Sequence, residues 1–128
     1  MDDGARTPRF APYFTNTGFY YVRRNEKTLY MMEKLLKAVG EIDYTASHQA
    51  TLIRHLTETQ AAFGLQILVL DDNLFPSGRM YHEHPEFVHK VVQHKSHPYV
   101  WHMCWTANRD QKVRLQFSLC YRQTVEQS

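Results

Sequence analysis

Long apolar runs, basic stripes, glycine-rich loops and cysteine frameworks are all missing from this chain, and each absence removes a class of function. No apolar stretch approaches the roughly 18 residues needed to cross a bilayer, so a membrane-spanning helix is not expected. Met1-Asp2-Asp3-Gly4 is acidic where a signal peptide carries its basic n-region, so the start does not read as a secretory leader. Lys and Arg are scattered, Arg23-Arg24 is the only basic pair, and the net charge is +2. That balance is too mild for a phosphate-tracking surface and argues against a nucleic-acid partner. Neither a Gly-x-Gly-x-x-Gly nor a Walker loop occurs, and no serine sits in an elbow of glycines. Cys104 and Cys120 are the only cysteines. They form neither a zinc pattern nor a disulfide framework; a single bridge or two buried thiols both remain open.

What is present suits a globular domain. The 128 residues suffice for one domain of ordinary size, and 43% are hydrophobic, including 8 Tyr, 7 Phe and 2 Trp. Residues 1–15 carry Gly4, Pro8 and Pro12 without periodicity and read as a loop. Gly18 to Arg23 is aromatic and β-branched, bounded by turn formers, and predicts a strand. Asn25 is a suitable N-cap for a helix whose stripe is Leu29, Met32, Leu36 and Val39, closed by Gly40. Ser47 caps a second helix, with Leu52, Ile53, Leu56 and Phe63 on one face and Gly64 as its stop. Leu65 to Leu70 predicts another strand, Phe75-Pro76-Ser77-Gly78 a turn, and Met80-Tyr81 a short strand. Pro85 to Gln93 predicts a helix that turns Phe87, Val88 and Val91 or Val92 inward. Pro98 to Met103 reads as a strand, and a last helix begins at Asn108 with Val113, Leu115 and Phe117. The sum is an α/β fold with a mixed sheet flanked by helices.

Eight histidines raise the question of metal. His82-Glu83-His84 brings two imidazoles close in sequence, but a third ligand at fixed spacing is missing, and a solvated turn is the simpler reading. His48-Gln49 occupies the first turn of the second helix. Such residues either complete a capped helix start or face a polar ligand drawn there. His102 has more telling company, since Trp105, Asn108 and Lys112 follow it. An imidazole that binds a divalent cation and a lysine that reaches a phosphate oxygen suit a departing diphosphate.

Four segments, in order, resemble one family, the nucleotide-diphospho-sugar transferases of GT-A type found in plants and algae. Asn16-Thr17-Gly18-Phe19-Tyr20-Tyr21-Val22-Arg23 is similar to the family's Asn-x-Gly-Phe-Tyr strand. Ser47-His48-Gln49 stands where the family has Asp-Gln, Leu74-Phe75-Pro76-Ser77-Gly78 resembles its Phe-Pro-x-Gly turn, and His102-Met103-Cys104-Trp105 through Lys112 resembles its closing segment. The resemblance implies a C-terminal, Rossmann-like portion of a GT-A fold over 16–116, an N-terminal loop over 1–15 and a divergent tail over 117–128. It further implies His102 as a ligand of Mn²⁺, Lys112 on the diphosphate, Asn16 and Gly18 under the donor sugar, and Trp105 as a wall. His48 and Gln49 become the candidate catalytic residues, with His48 replacing the family's acid. The implied partners are a nucleotide-sugar donor and a glycan or glycoprotein acceptor, in the Golgi lumen for the full-length relative.

The family's Asp-x-Asp motif is expected upstream of Asn16, and Asp2-Asp3 does not stand where it would substitute. A chain without that half is expected to leave Gly18–Arg23 as an uncovered edge. Two other readings follow from the same residues: an interaction module that keeps the acceptor-side surface, or a small metal-binding protein using His82, His84 and His102.

Overall fold

The computed structural model describes residues 1–125, with backbone alone from 119 onward. Cys120 therefore lies outside the residues whose side chains are described. Six α-helices follow one another: α1 (Glu26–Lys37), α2 (Val39–Thr45), α3 (His48–Phe63), α4 (Gly78–Glu83), α5 (Pro85–Val92) and α6 (Arg109–Val125). The expected mixed α/β sheet is not there. Among the described residues the segments at Gly18–Arg23, Leu65–Leu70 and Pro98–Met103 form no named strand, and Met80-Tyr81 falls inside α4. The physical reason is pairing. A β-prone sequence becomes a strand only when a neighbouring backbone takes its N–H and C=O groups, and that partner is a long-range property. Ser77 and His102 meet in an isolated parallel bridge.

Helix boundaries follow local chemistry closely. Asn25 accepts a hydrogen bond from the Thr28 amide at 3.0 Å while the Thr28 hydroxyl accepts from the Asn25 amide at 2.9 Å, a reciprocal cap on α1. The Ser47 hydroxyl accepts from the Ala50 amide at 3.2 Å and starts α3. Gly64 ends α3 in the left-handed region (φ 64°), where a side chain would be strained. The Asn108 carboxamide accepts from the Gln111 amide at 2.9 Å and opens α6.

The chain divides into two compact units. In the first, Asp3–Val69, helices α1, α2 and α3 pack together around Met31, Leu35, Leu52 and Leu65. The inward face of α1 differs from the expected stripe: Leu29, Leu36 and Val39 are exposed, and Met31 and Leu35 take their place. Alongside this core, Arg54 pairs with Glu41 of α2, and the imidazole of His55 lies 3.6 Å from Glu41 and 3.5 Å from Glu58. The second unit is Met1–Asp2 with Leu70–Ser128. There α5 turns Phe87, Val88, Val91 and Val92 inward as its periodicity predicts. Val88 and Val92 meet Met103, and Phe87 and Val91 meet Met80, with Trp101 packed against both groups.

Candidate functional site

The residues singled out by sequence gather in two places, one in each unit. In the first, the carboxylate of Asp3 is a hub. Its Oδ1 accepts from Asn16 Nδ2 at 2.7 Å and from Gln49 Nε2 at 3.2 Å. The Asn16 carbonyl oxygen in turn accepts from the Gly18 amide at 2.7 Å, and Gln49 Oε1 accepts from the Thr17 amide at 3.4 Å. Asp3 and Asn16 are both buried. A buried carboxylate needs donors, and two amide side chains supply them here. The result fixes the Asn16-Thr17-Gly18 turn against the first turn of α3, with Gly18 itself left exposed. His48, the residue just before Gln49, is exposed.

Asp3 is the residue that sequence reasoning missed. Its partners lie 13 and 46 positions away, and no local pattern marks such a contact. Gly18 to Arg23, expected as an edge strand, forms no strand, and Tyr21 within it is 82% exposed.

In the second unit, the Phe75-Pro76-Ser77-Gly78 turn lies directly against the segment that begins at Trp101. The His102 amide donates to the Pro76 carbonyl at 3.0 Å, and Trp101 Nε1 donates to the Ser77 carbonyl at 3.2 Å. The Gly78 amide points at Cys104 Sγ at 3.3 Å. Pro76 and Ser77 are fully buried. Gly78 is required by this contact, because a Cβ there would stand 1.8 Å from the Cys104 carbonyl oxygen. The turn therefore sets where His102 lies. Trp105 follows in the left-handed region (φ 60°), an unusual conformation for a bulky residue, and its ring is 41% exposed. Lys112 is half-buried on the first turn of α6.

His84 Nδ1 lies 3.1 Å from Glu86, its Nε2 lies 3.4 Å from Arg79, and His82 packs edge-on against Tyr81. No group of three or more His, Cys, Asp or Glu side chains that could hold a metal ion occurs among the described residues. His102 offers one imidazole, and the described residues do not complete a ligand set for Mn²⁺ around it.

Two polar arrangements are thus present: an amide-and-carboxylate turn in one unit and a histidine–tryptophan segment held by a proline turn in the other. Both present polar groups on irregular backbone, where binding residues are commonly carried. No described helix is long and apolar enough to cross a membrane. Compared with known proteins, residues 1–116 match the family described as nucleotide-diphospho-sugar transferase. No curated protein and no solved structure matches.

Proposed function

Because this chain belongs to the nucleotide-diphospho-sugar transferase family, we propose that it takes part in moving a sugar from a nucleoside-diphosphate donor to a hydroxyl of a glycan or glycoprotein. The observation that carries the proposal is the assembly of Asn16, Gly18 and Gln49 around Asp3. Those residues come from three separate stretches of the chain and leave Gly18 exposed beside the Asn16 and Gln49 amides. Sugar hydroxyls are recognised by such paired donors and acceptors, with the glycine admitting close approach. The support is strongest for donor-sugar binding in that unit.

In the second unit, the Lys112 ammonium is suited to the charge that builds on a departing diphosphate, and Trp105 to a wall beside it. In transfer the acceptor oxygen bonds to the anomeric carbon as the carbon–oxygen bond to the diphosphate breaks. The electron pair of that bond leaves with the diphosphate, which takes up, directly or through solvent, the proton released by the acceptor hydroxyl. His102 would face the same group as a single imidazole donor. A Mn²⁺ ion on the diphosphate would need further ligands beside His102.

Calorimetric titration with a panel of nucleotide sugars tests the proposal, with mass spectrometry to detect a transferred sugar. Binding of at least one donor is expected, and Lys112→Met should weaken it about tenfold, the effect of ~1.4 kcal/mol. Donor binding without any transfer would favour an interaction module. The absence of binding to every nucleotide sugar at millimolar concentration would refute the proposal.

A further inference from the structure

A cavity in the first unit lies apart from the Asp3 hub. It is a broad groove of about 1380 Å³, lined among others by Tyr13, Arg23, Arg24, Lys27, Gln60 and Gln66. Three cations converge on it. Lys37, Arg54 and Arg79 each have a carboxylate partner. Among the described residues no carboxylate pairs with Arg23, Arg24 or Lys27, and Lys27 donates instead to the Gly64 carbonyl at 3.3 Å. Glu26 also lines the groove, so its walls hold three positive charges against one negative.

The remaining lining is equally specific. Gln60 and Gln66 carry planar amides that can donate and accept side by side, the pattern that binds neighbouring hydroxyls. Tyr13 adds an aromatic face of the kind that packs against a sugar ring. Cations, amides and an aromatic ring in one open groove match a saccharide that carries negative charge better than they match a neutral one or a simple ion.

We propose that this groove binds the acceptor and selects an anionic saccharide, one bearing carboxylate, sulfate or phosphate groups. The inference rests on the transferase reading for the acceptor being a saccharide at all. The groove's guanidinium groups hold the charged substituent as bidentate donors, which lysine alone cannot imitate. Gln60 and Gln66 bind hydroxyls of the adjoining units.

The test uses the full chain and an oligosaccharide of alternating glucuronate and N-acetylglucosamine, measured against the same oligosaccharide with its carboxylates methyl-esterified. The acid should bind at least tenfold more tightly than the ester, and the gap should shrink as salt rises. Arg24→Gln should remove most of that gap, as should Arg23→Gln, with the thermal midpoint unchanged in each. Sulfated or phosphorylated oligosaccharides that bind more tightly than the glucuronate form identify the substituent and support the proposal. Equal binding of acid and ester would overturn it, as would displacement of the oligosaccharide by inorganic sulfate or by a glutamate peptide of equal charge at concentrations no higher than its own. Donor binding, measured on the same Arg variants, should be unaffected. Loss of donor binding by the wild-type chain would refute the transferase reading while leaving the anion preference of the groove separately measurable.

Discussion

Gly78→Ala isolates the contact that places His102. The added Cβ would lie 1.8 Å from the Cys104 carbonyl oxygen and 2.5 Å from its carbon, both backbone atoms that no rotamer change can move. Relief to the roughly 3.3 Å of closest carbon–oxygen approach requires a separation on the order of 1.5 Å. Such a shift disturbs the hydrogen bonds from His102 to Pro76 and from Trp101 to Ser77. Each is worth about 1 kcal/mol, and overpacking of a tight site costs about 1–3 kcal/mol. A loss of about 3 kcal/mol is therefore expected. Urea unfolding followed by tryptophan fluorescence is the assay, because both tryptophans, Trp101 and Trp105, belong to the disturbed segment. The same exchange at Gly40 is the control. Nothing lies within 4 Å of a Cβ there, and Gly40 sits inside α2. Gly40→Ala should stabilise by about 0.5–1 kcal/mol, read by circular dichroism. If Gly78→Ala unfolds within about 0.5 kcal/mol of wild type, the size expected of an uninvolved surface position, the close approach to Cys104 is not what holds this segment.

Other substitutions test the remaining supports. Asp3→Ala leaves two amide side chains without their acceptor and should cost about 1–3 kcal/mol in urea unfolding, with Asp3→Asn losing less. Gly64→Ala places a side chain at φ 64° and should lower stability by about 1 kcal/mol in a thermal melt. Asn25→Ala removes the cap of α1 and should cost about 1 kcal/mol, seen as earlier loss of helical dichroism. Trp105→Gly relieves a left-handed backbone while deleting the ring, so the melt should hold or improve as donor binding weakens.

Sequence disclosed whatever is decided within a few residues. Asn25, Ser47 and Asn108 opened helices where expected, and Gly64 closed one, because caps and left-handed stops act through their immediate neighbours. Position along α5 was equally readable, since Phe87, Val88, Val91 and Val92 leave only one face apolar. α1 was harder: Leu29, Met31, Met32, Leu35 and Leu36 cover more than one face, and packing against α3 chose among them. The strands failed for a stronger reason. Gly18–Arg23 and Leu65–Leu70 carry β-prone residues, yet among the described residues no backbone pairs with either one as a ladder, and composition cannot report a missing neighbour. In the candidate site, Asn16, Gly18 and Gln49 were legible from the resemblance and do come together. The carboxylate that joins them was not, because Asp3 stands in a loop with no periodic signal. His102 and Lys112 are placed in the second unit, but their sequence spacing does not supply the further ligands a metal would need.

We propose that this chain binds a nucleotide sugar, and a thermal melt with UDP and Mn²⁺, singly and together, tests that most directly. A ligand that binds only the folded state at about a hundred times its Kd adds roughly 2.7 kcal/mol. For a chain of this size that corresponds to a rise on the order of 10 °C. The account predicts a clear rise with UDP, reduced in Lys112→Met. An unchanged midpoint at millimolar UDP, with and without Mn²⁺, would contradict it.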